Sequence, residues 1–239
     1  MTREYSLNCY QLQLIMMRFN LLLLLLFQSM LLFGQYKVLE TTYYYPKDAK
    51  EFEGKTTYPY EDVGGYVQAK YGNTTKIIAA KGGFGTFYFV FKKKTKDTED
   101  PADRDLHAFV LVEDHGGLLE KARFQDFGNP LYWPEFDYPN CFIDDADHDG
   151  LPEFYLSYLG ESDGLDAKPY KQIVYHFPRA VQHGVLIKAK ATAYYPAGNE
   201  EDVYQIKFDT LWKEMPEDVK GRSKKVLKDH HRYYTDKFF

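Results

Sequence analysis

After residue 35 the chain consists of short hydrophobic runs separated by turn residues. The runs are rich in tyrosine, phenylalanine and β-branched residues, which favour strands. About ten such runs at close spacing are typical of an antiparallel sandwich or barrel. In chain order they are YKVLETTYYY (36–45), GGYVQAKYG (64–72), KIIAAKGG (76–83), GTFYFVFKKK (85–94), LHAFVLVED (106–114), LLEKARFQDFG (118–128), NCFID (140–144), PEFYLSYLG (152–160), YKQIVYHF (170–177), GVLIKAKATAYY (184–195) and DVYQIKFD (202–209).

Some of these runs also predict where a strand lies in its sheet. Residues 85–94 carry aromatic side chains on both faces, which predicts a central strand. The runs 152–160 and 170–177 are separated by a short polar turn and predict a hairpin. Residues 73–75 (Asn-Thr-Thr) are predicted to be a turn.

Only the C-terminal end has a helical pattern. Pro216 followed by two acidic residues is typical of a helix start. Val219, Val226, Leu227 and Tyr233 would form a narrow apolar stripe that docks on the sheet, whereas His230 and His231 are predicted to be exposed. The fold class is therefore mainly β, an antiparallel sandwich or barrel-like domain with a C-terminal helix.

The N-terminal segment is predicted to be a signal peptide that covers residues 1–34. Arg18 precedes the apolar runs 21–27 and 30–33, and the small residue Gly34 follows them. The apolar run is shorter than the roughly 20 residues that a bilayer-spanning helix needs, although an uncleaved anchor is an alternative. Met17 is an alternative start of the protein.

Residues 35–239 then form a single β-rich exported domain, periplasmic or secreted, with no membrane span after cleavage. The formal net charge of -5 gives no basic footprint for nucleic acid. Cys9 leaves with the leader, so Cys141 has no partner for an internal disulfide and is predicted to be a small buried hydrophobe. The sequence leaves the oligomeric state open.

Charged side chains that could bind a metal or act in catalysis are most concentrated in the acidic stretch DDADHDGLPE, residues 144–153. Its spacing, D-x-D-x-D-G-x-x-E, places acidic side chains at alternate positions of a loop, and the glycine permits a sharp bend. A hard cation such as Ca²⁺ binds six to eight oxygens. The predicted ligands are the carboxylates of Asp145, Asp147, Asp149 and Glu153 and the backbone carbonyl of Leu151.

This loop differs from an EF-hand, whose closing acid stands at the twelfth position; here the acid is at the ninth. Asp144 is a flanking residue and His148 a spacer. We interpret the loop as a structural calcium site. A solvated acidic turn, another divalent metal and a catalytic cluster are the alternatives.

Other candidate chemistry is weaker. Ser162, Asp163 and Asp166 form a second polar turn, at the opposite end of the strand that follows the calcium loop. A Ser-His-Asp nucleophile set is not recognisable, and no residue is assigned as catalytic or cofactor-binding. Paired carboxylates for glycoside hydrolysis remain open, because folding and not spacing would pair them.

The stretch from residue 105 to 175 resembles exported bacterial proteins named for surface polysaccharide biosynthesis. The matching features, in order, are the D-x-D-x-D-G-x-x-E loop, the Ser162-Asp163 turn and the Lys-x-Ile-x-Tyr motif of residues 171–175. The segment GLDAKPYK departs from the pattern. The resemblance implies a link to envelope glycans and brings no catalytic residues with it.

Three functions are compatible with these features. The first is a non-enzymatic exported domain whose calcium loop supports binding of a glycan or an envelope protein. The second is an enzyme that acts on surface polysaccharide through acidic residues near the loop, such as Glu153 or Asp163. The third is a purely structural envelope component. The first is the preferred hypothesis.

Overall fold

The computed structural model describes residues 16–23, 41–44, 71–82, 85–94, 104–164, 167–178, 184–196 and 203–238. The chain divides into two compact units, Met1–Gln35 and Tyr36–Phe239. In the first unit, residues 16–23 form a helix, α1. No helix among the described residues is long and apolar enough to cross a membrane. The predicted cleavage point at residue 34 and most of the predicted strands 36–45 and 64–72 lie outside the described residues.

The second unit contains two antiparallel sheets. The first has the order β1-β2-β3-β4-β5, and the second has the order β11-β10-β9-β8-β6, with β7 also pairing with β8. The strands are β1 (Thr41–Tyr44), β2 (Asn73–Gly82), β3 (Gly85–Lys94), β4 (Asp105–Asp114), β5 (Gly117–Asp126), β6 (Tyr132–Phe136), β7 (Phe142–Asp144), β8 (Glu153–Ser162), β9 (Lys168–His176), β10 (Ile187–Tyr195) and β11 (Gln205–Phe208). A 3₁₀ turn (Thr210–Glu214) and the helix α2 (Glu217–Phe238) follow.

The two sheets pack face to face around an aromatic core. Phe87, Phe89 and Phe91 alternate along β3 and point toward the second sheet. Phe89 lies 5.7 Å from Phe154 of β8 between ring centroids, at a near-perpendicular angle. Such edge-to-face pairs contribute about 0.5–1.5 kcal/mol beyond the area they bury. The sandwich is therefore held chiefly by phenylalanine side chains from both sheets.

The second sheet is buried on both faces. Leu156 of β8 faces the first sheet, whereas Tyr155 belongs to a cluster on the opposite face. That outer cluster is closed by α2 and the 3₁₀ turn before it. Its buried members are Tyr155, Tyr170, Val174, Ala189, Ala191, Ala193, Tyr195, Trp212, Met215, Val219 and Leu227. Burial on both faces explains why β8 has a continuous hydrophobic sequence rather than an alternating one.

The fold class is confirmed: the protein is mainly β, with two packed antiparallel sheets and a C-terminal helix. The described strands form two open sheets and not a closed barrel. The predicted central strand is β3, in the middle of its sheet, and β8 and β9 form the predicted hairpin. Val219, Val226 and Leu227 of the predicted helical stripe are all buried.

Three local predictions are wrong or incomplete. Residues 73–75 begin β2 instead of forming a turn. The sequence pattern missed β6, because Pro134 interrupts it; proline lacks the ladder N–H and is tolerated there because β6 pairs with β8 alone. His230 and His231 were expected to be exposed, but both are half-buried. The ring of His230 stacks on Tyr170 at 3.6 Å between centroids, and that of His231 on Tyr204 at 3.9 Å. The hydrophobic pattern of the helix did not predict these aromatic contacts, because the pattern does not show which other residues face the helix.

Cys141 is a buried free thiol in the core between the sheets. Burial raises its pKa to about 12, mainly through desolvation of the thiolate. Its sulfur lies 3.4 Å from both the backbone nitrogen and the carbonyl oxygen of Ser157. These contacts confirm the prediction of a small buried side chain.

Lys76 is a buried cation that connects the two sheets. It lies on β2, is 3% exposed, and donates hydrogen bonds to the carbonyl oxygens of Tyr138 at 2.7 Å and Cys141 at 3.1 Å. Burial lowers the pKa of its ammonium from 10.5 to about 8. Between these pH values the unfolded chain holds a proton that the folded chain has released. Stability therefore rises with pH in that window.

We expect the free energy of unfolding of the protein, relative to that of Lys76→Met, to increase by about 2 kcal/mol between pH 7 and pH 10. Chemical denaturation at several pH values measures this difference, and the other titrating groups cancel because both proteins contain them. Lys81→Met, at an exposed position of the same strand, is the matched control. The difference in unfolding free energy between the protein and this variant should not change with pH. A difference that stays constant or falls with pH for Lys76→Met would contradict the prediction.

Candidate metal centre

The acidic loop, residues 145–152, connects β7 to β8 at the edge of the second sheet. The two strands pair with each other, and Asp144 and Glu153 are the partners at the base of the loop. The loop turns back within eight residues because His148 and Gly150 adopt positive φ angles of 57° and 89°. Glycine adopts such angles without steric cost, which explains its place in the motif.

Backbone N–H groups hold three of the carboxylates in place. Leu151 N donates to Asp149 Oδ1 at 2.8 Å, and Asp149 N donates to Asp147 Oδ1 at 3.3 Å. Ala146 N donates to Glu153 Oε2 at 2.7 Å across the loop. Each of these carboxylates keeps further acceptor capacity, because an ionised carboxylate has two oxygens and about four lone-pair sites.

The carboxylates of Asp145, Asp147, Asp149 and Glu153 converge on one point. Each offers one oxygen, and these oxygens all lie within 4.8 Å of one another. Ca²⁺ binds oxygens at 2.3–2.6 Å, so ligands on opposite sides of the ion are roughly 5 Å apart. The spacing therefore fits four oxygens around a single cation. The same spacing without a cation brings like charges together, which is unfavourable.

Asp145 is the acid of the loop whose buried carboxylate has the least compensation for its charge. The residue is 6% exposed, and neither of its carboxylate oxygens accepts a hydrogen bond from the part of the chain that the structure describes. Burial, followed by the charges of Asp149 and Asp147, raises its pKa, and the nearby backbone N–H of Gly150 opposes the shift. A buried carboxylate without a partner is strongly unfavourable, and a bound cation removes that penalty. One oxygen of Asp147, Oδ2, is also buried and has no hydrogen-bond partner among the described residues.

Glu153 is the most buried of the four acids, with no exposed surface. Desolvation by burial raises its pKa to about 7, and the charge of Asp147 adds to this, whereas His176 and the Ala146 N–H lower it. His176 Nδ1 lies 3.3 Å from Glu153 Oε1. An imidazole nitrogen of His176 also lies within 4.8 Å of carboxylate oxygens of Asp147 and Glu153.

The structure places the remaining sequence-predicted residues as follows. His148 is exposed, as expected for a spacer, and Asp144 lies outside the convergent group, with its Oδ2 2.8 Å from Arg222 Nε. Leu151 is buried in the core, and its carbonyl remains a predicted ligand. Asp163 is exposed at the far end of β8, ten residues from Glu153. At about 3.3 Å per residue, these two acids are too far apart to share one substrate bond.

His176 is the residue that sequence reasoning missed. It lies 23 positions after Glu153, and no metal-binding motif has this spacing. Knowledge of the strand register in the hairpin would have predicted its position. Phe154 pairs with Tyr175, so continuing the pairing by one residue brings Glu153 next to His176. The β8–β9 hairpin therefore places a nitrogen that could bind a metal ion beside a loop whose own side chains offer mainly oxygen.

A cleft of about 520 Å³ adjoins the acidic loop, and its wall includes Asp147 and His176. The lining also includes Glu214, Met215 and the first residues of α2, Glu217 and Asp218. A volume of this size is in the range of small-molecule sites. The carboxylates around it make the cleft attractive to cations and unattractive to free anions.

Comparisons with known protein families, with curated proteins and with solved structures found no match. The resemblance to proteins named for surface polysaccharide biosynthesis therefore stays a prediction.

Proposed function

We propose that the protein is an exported, non-enzymatic β-sandwich domain of the bacterial cell envelope, in which a calcium ion stiffens the β7–β8 loop for binding a glycan or an envelope protein. The observation that carries the calcium proposal is the convergence of Asp145, Asp147, Asp149 and Glu153, with the buried carboxylate of Asp145 unpartnered. Carboxylate oxygens are the ligands that Ca²⁺ prefers.

A structural role is supported by where the ligands lie. Asp145 and Glu153 are buried, and Glu153 is the first residue of β8, which pairs with β6, β7 and β9. A cation bound there connects the loop to β8, a strand that has neighbours on both sides in the second sheet. It therefore orders the loop and the β7–β8 pair together, as expected of a stabilising ion.

Binding calorimetry tests the calcium proposal directly. We expect one Ca²⁺ per chain and at least a tenfold loss of affinity in Asp145→Asn, which corresponds to at least about 1.4 kcal/mol of binding free energy. Asp163→Asn is the matched control, because Asp163 is an exposed acid in the β8–β9 turn. An equal loss in both variants, or no binding to the unaltered protein, would reject the proposal.

An enzyme that acts on surface polysaccharide is the second candidate, and the cleft beside Asp147 favours it. Acidic residues near the loop would then act in that cleft. Glu153→Gln separates the two functions, because an enzyme would lose hydrolysis of envelope polysaccharide while its Ca²⁺ affinity is retained. Loss of calcium binding without any measurable hydrolysis by the unaltered protein supports the non-enzymatic function.

The cellular part of the proposal rests on the predicted leader and on the resemblance to envelope-linked proteins. Deletion of the gene followed by profiling of surface glycans tests it, and an unchanged glycan profile would argue for a protein partner. Sequencing of the N-terminus of the protein recovered from cell fractions tests export. We expect the recovered chain to begin near Gln35.

A further inference from the structure

Two sets of possible metal ligands overlap in the acidic loop. One is the four-carboxylate group of Asp145, Asp147, Asp149 and Glu153; the other consists of Asp147, Glu153 and His176. Asp147 and Glu153 belong to both sets. Carboxylates have two oxygens each and bridge neighbouring cations in two-metal sites, where the ions are about 3.5–4 Å apart.

His176 is buried and yet borders the cleft. It is 3% exposed, and Glu153, through Nδ1, is the only hydrogen-bond partner of its imidazole among the described residues. An imidazole nitrogen within 4.8 Å of two carboxylate oxygens can bind a metal ion together with them, because histidine nitrogen and carboxylate oxygen are both common ligands of Zn²⁺. The second nitrogen of His176 has no hydrogen-bond partner in the described part of the chain, and the residue lines the cleft.

The charges of the cluster also leave room for a second cation. Asp145, Asp147 and Glu153 carry three negative charges when ionised, and no lysine or arginine of the described residues forms an ion pair with them. One divalent cation does not neutralise even these three acids. The excess negative charge lies where Asp147 and Glu153 face His176.

We propose that a second divalent cation binds between Asp147, Glu153 and His176 and shares the two carboxylates with the calcium ion. This inference rests on the proposed calcium site. Calcium prefers oxygen ligands only, whereas imidazole suits transition metals such as Zn²⁺, Co²⁺ and Ni²⁺. The second position therefore takes a transition metal of the zinc class.

The second cation has an open side. Three protein ligands are fewer than a closed tetrahedral zinc site provides, and sites with three protein ligands keep a position for water or another small ligand. His176 and Asp147 line the cleft of about 520 Å³, and the acidic residues Glu214, Glu217 and Asp218 line the same cleft. Their negative potential draws cations toward the site.

Titration of the full-length protein with Co²⁺ in saturating Ca²⁺ tests the inference, because cobalt reports its ligands through visible absorption. We expect one Co²⁺ per chain in addition to the retained Ca²⁺, with absorption bands of a nitrogen-ligated ion. Zn²⁺ should displace the Co²⁺ and leave the Ca²⁺ bound. This stoichiometry is measured on the unaltered protein and depends on no variant.

Variants then assign the ligands. His176→Gln should weaken Co²⁺ binding at least tenfold, while His148→Gln, at an exposed histidine of the same loop, should leave it unchanged. Asp145→Asn should weaken Ca²⁺ and retain Co²⁺, because Asp145 belongs only to the four-carboxylate set. The two cations are thereby separated.

Two results would overturn the inference, and a third would reject the calcium site on which it rests. Co²⁺ that displaces Ca²⁺ one for one shows a single position with two possible occupants. No Co²⁺ binding in the presence of Ca²⁺, with Ca²⁺ affinity lowered in His176→Gln, shows that His176 only orients Glu153. Failure of the unaltered protein to bind Ca²⁺ rejects the proposed function instead, independently of Co²⁺.

Discussion

Saturating calcium is expected to raise the melting temperature of the protein by roughly 10 °C over the value in chelator. A ligand at 1,000 times its dissociation constant stabilises the folded state by about 4 kcal/mol. In a domain of 150–250 residues, each kcal/mol shifts the melting temperature by about 2–4 °C. Calorimetric or fluorescence melts in Ca²⁺ and in EGTA measure the shift.

The Asp145→Asn variant makes this prediction more specific, because its effect should change sign with calcium. In chelator it should melt at or above the temperature of the unaltered protein, since it removes an unpartnered buried carboxylate. In calcium it should melt below it, because a ligand is lost. The same loss under both conditions would indicate ordinary misfolding. A calcium shift of normal size in this variant would contradict the ligand assignment.

Phe89→Ala is expected to be the most damaging single change in the core, at a cost of about 3–5 kcal/mol of unfolding free energy. Phe89 has no exposed surface and lies on the central strand β3. Its ring centroid is 4.4 Å from that of Phe91 and 5.7 Å from that of Phe154. The alanine leaves a cavity between the two sheets that the surrounding strands fill only in part.

Urea denaturation measures the effect, provided that the slope of free energy against urea stays unchanged. Phe89→Leu preserves most of the volume and should cost less than half as much. Leu131→Ala, at a largely exposed apolar residue, should change the free energy by no more than about 0.5 kcal/mol. A loss of less than about 1 kcal/mol in Phe89→Ala would show that the sheets are not held by this aromatic layer.

Much of the fold was predictable because its strands have strong local patterns. Residues 85–94 carry aromatic side chains on both faces, and β3 is indeed buried on both sides. The short turn after Ser162 was enough to predict the β8–β9 hairpin. By contrast, β6 was missed because its stability comes from pairing with β8 and not from its own sequence, which Pro134 interrupts.

The candidate site was predictable to the extent that it lies within one loop. The spacing of the acidic residues was enough to predict the four carboxylates that the structure brings together, because neighbouring residues in a tight turn have little freedom to separate. His176 could not be read from spacing, because its place beside Glu153 depends on strand register. The cleft could not be predicted either, because one of its walls is formed where α2 begins, about 40 residues later in the chain than His176.

The alanines of β10 have a consequence for the cleft that they do not line. Ala189, Ala191 and Ala193 are fully buried beneath the 3₁₀ turn and α2, in the same cluster as Met215, which does line the cleft. Their methyl groups set how closely the helical layer approaches the sheet. A side chain larger than alanine at these positions is expected to push the helical layer away from the sheet, and so to change the width of the cleft without altering any acidic residue of the metal centre.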